Sequence, residues 1–501
     1  MSIRFLISGT AAMSIALPCL GFADAPATDE LTGAPAADSR FPRLLGEQFT
    51  FVLQNQSSLH SPYAGPLSLK PDGDTQPTDT IGFYFGWAPL NWAQLYFDTE
   101  KFMGAGVSGA TGLGGLTNGD VVREGANNLP KRFYIARAYL RFMLPLGQEL
   151  TRVAAGQDQI AGTEAAQRLE FKVGWLAVND DFDKNRYAAS TRTEFMNWSL
   201  WDNTAWDYAA DTRGYTAGFV LGYVSPLWSL KYGVYRMPVR ANGQELEASL
   251  HRAQGDNLEF TLSPGASGTV LRLLAYRNTA RMGIYAEALA TAFAEERTPD
   301  IVADDREGRK KYGFGINAEQ PLADAGATGV FARLGWNDGK TESFAFTEVD
   351  RLASVGGELS GSHWQRGDDV AGLAVAVEGL SAWHREYLAA GGLGFLLGDG
   401  RLDYGHEQIL EGYYRLQLPW HWAHVQISPD YQFIRNPGFN AARGPVSFYG
   451  IRFHVEHRER ELRSSYFLQK VGVNSTSTLK ISSRPSSMAK VQIHVCPALR
   501  L

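Results

Sequence analysis

The sequence predicts an all-β fold, a transmembrane antiparallel β-barrel, on three observations. Segments about ten residues long alternate apolar and polar side chains, and a strand turns successive side chains to opposite faces. No run after residue 25 approaches the roughly 18–20 uninterrupted apolar residues a spanning helix needs, so strands must do any crossing. One parity of these segments repeats Arg and Glu, while the other is apolar with aromatics near its ends. A wall with water inside and lipid outside requires that division.

Taken in order, residues 1–23 read as a secretory signal. Arg4 supplies the positive region, and an apolar core of about 16 residues runs to Leu20. Cleavage is expected after Ala23, because Pro26 would obstruct the peptidase at the alternative site after Ala25. Cys19 then leaves with the signal, and Cys496 alone cannot form an internal disulfide. Residues 24–45 are rich in Pro, Ala and Asp and are expected to form a flexible periplasmic lead.

The predicted barrel covers residues 46–457. In 93–101, Leu95 and Phe97 oppose Gln94, Tyr96, Asp98 and Glu100. In 133–142, Tyr134, Ala136, Ala138, Leu140 and Phe142 oppose Arg137, Tyr139 and Arg141. In 228–235, Trp228, Leu230, Tyr232 and Val234 oppose Ser229, Lys231 and Tyr235. In 407–418, Leu410, Tyr414, Leu416 and Leu418 oppose Glu407, Glu411, Tyr413, Arg415 and Gln417. In 424–433, Val425, Ile427, Tyr431 and Phe433 oppose His424, Gln426, Asp430 and Gln432. The run FYGIRFHVE at 448–456 reads as the closing strand, with Tyr449, Ile451, Phe453 and Val455 against Gly450, Arg452, His454 and Glu456.

Three segments break the alternation. Residues 104–130 form a Gly-rich stretch of 27 between two strong strands. A loop this long is usually functional or disordered. Folded inward, its glycines would let the backbone turn tightly and set a constriction. Residues 295–311 are densely charged and read as an exposed loop, and 381–390 reads as a short helix. Beyond the predicted barrel, residues 458–501 are rich in Ser, Lys and Arg and do not alternate either. They are expected to be a disordered extension or the product of a displaced reading frame.

Charge narrows the partners. The chain carries 47 basic and 53 acidic residues, but 24–457 holds 38 and 51, a net −13. An acidic body argues against nucleic acid. No His, Asp or Glu set shows metal-ligand spacing. The run GATGLG at 109–114 lacks the Lys-Ser/Thr of a phosphate loop.

Four segments, FMGAGVSGATGLGGLTNG (102–119), WDNTAWDYAADTRGYT (201–216), WHREYLAAGGLGFLLGDG (383–400) and PDYQFIRNPG (429–438), resemble in order the carbohydrate-selective porin family of Gram-negative outer membranes. The resemblance implies one barrel of about sixteen antiparallel strands, eighteen being the alternative count. It also implies passive diffusion of small sugars such as glucose, with no cofactor and no enzymatic activity. Outer-membrane lipid and the barrel-assembly machinery would then be partners, and association as a homotrimer stays open. The chain departs from the family at its end, where such barrels usually stop on a terminal aromatic that the assembly machinery reads.

A sugar is neutral and hydroxyl-rich with apolar ring faces. A selective pore should therefore offer charge-assisted hydrogen bonds and aromatic faces, each weak enough for the solute to leave. Asp98, Glu100, Arg137, Tyr139 and Arg141 supply that chemistry beside the long loop. Lys172, Lys231, Glu411 and Arg415 share the polar parity and complete the candidate constriction. Trp201 and Trp206 could stack on sugar, although packing is the plainer role. Three other readings stay open at this point: an outer-membrane enzyme acting on lipid, a secreted sugar-binding β-sandwich, and a barrel for polysaccharide export.

Overall fold

Alternation becomes a wall when every strand finds two neighbours. A computed structural model describes residues 44–121, 129–265 and 267–458. The proposed signal, most of the lead, nearly all of the C-terminal extension and residues 122–128 of the Gly-rich stretch lie outside the described residues. The strands are β1 (Leu44–Gln56), β2 (Asp74–Leu90), β3 (Ala93–Met103), β4 (Tyr134–Pro145), β5 (Leu150–Val153), β6 (Gly162–Ala165), β7 (Arg168–Leu176), β8 (Thr216–Val224) and β9 (Trp228–Arg236). They continue as β10 (Gln254–Leu262), β11 (Val270–Met282), β12 (Arg306–Ala323), β13 (Thr328–Asn337), β14 (Arg351–Ser360), β15 (Val370–Gly379), β16 (Glu407–Leu418), β17 (His424–Arg435) and β18 (Val446–Arg458). All but β5 and β6 form one closed barrel of sixteen antiparallel strands, while β5 and β6 pair only with each other.

Closure is made by β1, which pairs with β2 on one side and β18 on the other, Phe51 facing Asp79 and Phe453. A closed sheet has no edge, so no strand leaves a row of backbone groups unpaired in hydrocarbon. Among the described residues no helix is long and apolar enough to cross a membrane. Outward positions are apolar and bare: Leu373 is 63% exposed, Leu334 54% and Ile451 46%. Inward positions such as Asp98, Glu100, Arg333 and Arg452 are buried. A soluble protein has the opposite arrangement, and the sandwich reading fails on it.

Aromatic side chains mark both rims. On the short-turn rim Trp92 stacks on Phe142 at 6.1 Å, and Phe171 and Phe219 continue the row at 6.2 Å steps. On the opposite rim Tyr312, Phe314 and Trp336 lie 5.8–6.4 Å from one another. In such barrels the longer loops face outside, so the second rim is the extracellular one.

The structure corrects two readings of the alternation. In β4, Arg137 pairs with Asp98 but Ile135 pairs with Thr99, so Ala136 is an unopposed extra residue. This bulge reverses the parity above it. Tyr134 and Ala136 therefore turn inward with Arg137, and Ile135, 50% exposed, takes the lipid side. The charged stretch 295–311 is only partly a loop, because Arg306 onward belongs to β12 and Lys311 is fully buried. The helix at Tyr285–Ala294 precedes that stretch and was not expected.

The helices are few: α1 (Trp198–Trp201), α2 (Tyr285–Ala294) and α3 (Ala382–Ala389). The last is the helix expected at 381–390. Ser381 caps it, its hydroxyl accepting from the His384 amide at 3.2 Å.

Candidate functional site

The barrel interior is partly filled by two segments. Residues 104–121 turn inward as the glycines suggested. Gly112 sits at φ +88°, and a Cβ there would lie 2.2 Å from the Leu69 nitrogen, so this approach needs glycine. Gln54 and Gln432 on the wall both donate to the Thr117 carbonyl, at 3.2 and 2.8 Å. The larger plug is the β7–β8 connection, residues 177–215, which the sequence did not single out as inward. Phe182, Phe195, Met196, Leu200 and Trp206 of this segment are all buried. The two segments meet where the Gly119 amide donates to the Met196 carbonyl at 2.8 Å.

Side chains of the far wall hold the second segment. Arg333 of β13 pairs with Asp183 at 2.8 Å and donates to the Leu200 and Ala188 carbonyls. Arg452 of β18 donates to the Thr191 and Glu194 carbonyls, both at 2.7 Å. Glu411 of β16 accepts from the Met196 and Asn197 amides at 2.6 and 2.9 Å. Arg415 donates to the Thr193 carbonyl at 2.7 Å. The inward parity of Glu411 and Arg415 is as read from sequence, but neither lines the open space.

What the plug leaves open is a cavity of about 690 Å³ against β3, β4, β7 and β9. Six of the nine candidate residues line it: Glu100, Arg137, Tyr139, Arg141, Lys172 and Lys231. Asp98 stands just behind, 3.4 Å from Arg137 and accepting from Gln157 at 3.0 Å. Arg137 binds Asp180 through two nitrogens, at 2.5 and 3.0 Å, and its Nε is 3.1 Å from Asp158. Arg141 reaches Glu164 and Glu170 at 2.5 Å each. Lys172 and Lys231 converge on Asp181 at 2.8 and 3.5 Å. Glu100 meets Arg192 at 2.9 Å and accepts from the Tyr215 hydroxyl at 2.6 Å.

The cations of the wall are thus answered by acids on the plug, on the connection carrying β5 and β6, and on the neighbouring strands at Asp98 and Glu170. Burial works against the charged form of Asp180, but the Arg137 guanidinium overrides it and holds the carboxyl at about 2. Asp211 has no such cation at its oxygens. Burial pushes it up to about 6, against the amides of Tyr215 and Arg213 that it accepts at 3.1 and 2.9 Å.

Aromatic faces complete the lining. Trp198, Trp201, Tyr208 and Phe346 all border the cavity, with Trp198 stacked on Phe346 at 5.0 Å and 10°. Trp206 is instead packed away, its Nε1 donating to Asn257 at 2.8 Å. Arg213 lies over the Tyr134 ring at 4.7 Å, and Lys172 over Tyr139 at 5.3 Å. Among the described residues no His, Cys, Asp and Glu group is arranged to hold a metal ion.

Sequence reasoning missed Asp120, Asp158, Glu170, Asp180, Asp181 and Arg192. The run of acids at Asp180, Asp181 and Asp183 between two strands was the available signal.

The family described as carbohydrate-selective porin, OprB family, matches residues 147–456. The high-pH structure of Pseudomonas putida OprB is similar at a TM-score of 0.59 and 15% identity, covering 83% of this chain and 94% of that one. The outer membrane channel DcaP of Acinetobacter baumannii is similar at 0.44 and 10% identity, with 83% and 96% covered. No curated protein matches the chain.

Proposed function

Since the chain belongs to the carbohydrate-selective porin family, we propose that the cavity bordered by Arg137, Arg141, Lys172, Lys231 and Glu100 is the selective segment of its pore. The protein is an outer-membrane porin that passes small carbohydrates by diffusion. The proposal concerns which residues select them and how.

The carrying observation is the combination of a ladder of paired charges, Arg213 alone being held over a ring instead of an acid, with aromatic faces in one cavity. Paired charges set up no strong net field, so a neutral solute is not excluded in favour of an ion. Each guanidinium and ammonium still has N–H groups to offer a sugar hydroxyl, and each carboxylate can accept from one. Trp198, Trp201 and Phe346 offer apolar faces for the ring. Many weak contacts in series let a sugar enter without trapping it. Asp98 supports the ladder by bracing Arg137, and Glu411 and Arg415 support it by seating the plug.

The apolar exterior supports outer-membrane lipid as a direct partner. Insertion by the barrel-assembly machinery and association as a homotrimer stand with it as expectations for the purified protein.

Swelling of proteoliposomes in isotonic sugar tests the reading. Glucose should permeate faster than a non-sugar polyol of similar size, and Arg141→Ala should narrow that preference. Equal rates for both solutes in the unaltered protein would remove the carbohydrate contacts from the cavity.

A further inference from the structure

Strands that face lipid should shed charge, yet the outer wall keeps a patch of it at the extracellular rim. In β12 the outward parity runs Ile316, Phe314, Tyr312 and then Lys310, which is exposed. Lys310 forms no ion pair among the described residues, and neither does Lys340, exposed just beyond β13. Asp338 is close enough to feel the Lys340 charge without pairing with it. In β14, Arg351 lies over the Trp336 ring at 5.1 Å. Its Nη1 donates to the carbonyls of Asn337 and Asp350, at 2.5 and 2.6 Å, and among the described residues it forms no ion pair.

The neighbouring strands show that this is not the general state of the rim. Arg277 is neutralised by Asp256 at 2.7 Å, and Arg281 by Asp305 at 2.9 Å. The uncompensated cations instead gather above Tyr312, Phe314 and Trp336, the aromatic belt that marks the depth of lipid head groups. A cavity of about 190 Å³ opens between the two lysines, lined by Lys310, Lys340, Arg309 and Trp383, with Arg351 outside its lining. Arg309 is committed to Glu287 and to the Met282 carbonyl at 3.0 Å, which leaves the two lysines as its available charges.

From this we infer a binding site for the phosphate of a phosphorylated saccharide lipid, the lipopolysaccharide type, on the outer wall at Lys310 and Lys340, with Arg351 on the neighbouring strand adding to the local positive charge. The acyl chains lie along Phe314 and Ile316, the aromatic belt sets the depth, and the phosphate meets the lysines at the cavity mouth. Cations beside an anionic lipid surface act in this way. The site deepens the lipid contact proposed above and rests on the extracellular assignment of the long-loop rim. It is separate from the pore.

Native mass spectrometry of the detergent-solubilised barrel, titrated with bisphosphorylated lipid A, tests it. Lys310→Ala with Lys340→Ala should weaken retention about thirtyfold, and either change alone roughly fivefold. Lys101→Ala, on the distant outward face of β3, should leave it unchanged. Dephosphorylated lipid A should be retained no better by the unaltered protein than by the double variant. Unchanged affinity in a double variant that still runs compactly before boiling would overturn the proposal. So would equal retention of the dephosphorylated lipid. Saturable binding of phosphatidylglycerol or inorganic phosphate with the same lysine dependence would overturn the lipopolysaccharide assignment.

Discussion

Two halves of the same wall carry inward charge and use it differently. On β3, β4, β7 and β9 the charges border open space and meet opposite charges there, as in Arg137 with Asp180 and Glu100 with Arg192. On β13, β16 and β18 they are spent on the plug, as in Arg333 with Asp183 and Glu411 with two backbone amides. Both sets look alike in a strand pattern. The difference comes from where residues 177–215 lie, so function here is decided by what covers a charge.

The comparison breaks most strongly at Arg333, which is fully buried with its partner. Arg333→Ala leaves Asp183 uncompensated and frees the Leu200 and Ala188 carbonyls, a loss of about 3–5 kcal/mol to the seated plug. Single-channel conductance should rise and sugar block should vanish. Glu411→Gln is milder, because one of the two amides keeps its acceptor. About 1–3 kcal/mol should be lost, read as a lower temperature for loss of the compact form on unboiled gels, with conductance nearly unchanged. Arg137→Ala acts on the other half. Glucose affinity in the channel should fall roughly fivefold to tenfold, corresponding to about 1–1.4 kcal/mol, while the plug stays seated.

The smallest effect belongs to pH. Asp211 has a folded value near 6 against 3.8 for the free group, so the folded state holds its proton more tightly. Its contribution to stability is then fullest below about 3.8 and declines as pH rises towards 6, levelling above that. Protonated or not, the carboxyl still accepts the Arg213 and Tyr215 amides, so the change in sugar block should be slight. Asp211→Asn should flatten it. A larger swing that survives this substitution would place the titrating group elsewhere.

Much of the wall was legible because alternation is a property of neighbours in sequence. The inward sets of β3, β9, β16, β17 and β18 follow parity without exception at Glu100, Lys231, Glu411, Gln432 and Arg452. The bulge at Ala136 was not legible, since a methyl group fits either face and no glycine or proline flags it. Nor was the plug. Its acids and asparagines resemble a solvated loop, and what draws them inward are partners at great sequence distance, Asn185 with Asn317 and Asp183 with Arg333. The Gly-rich stretch 104–121 was recognised because its cue is local, a density of glycines that only close backbone approach explains. Of the candidate residues, the four cations on the cavity meet acids of the nearest connections or of β7, and Glu100 meets Arg192 of the plug. Glu411 and Arg415 lie where the plug crosses the far wall.

The most direct test of this division is glucose titration of single channels in planar bilayers, comparing Arg137→Ala with Arg415→Ala. The account expects saturable block in the unaltered protein and weakened block at normal conductance in Arg137→Ala. It expects altered or unstable conductance, from a loosened plug, in Arg415→Ala. The same weakened block at normal conductance in both variants, or none in either, would contradict it.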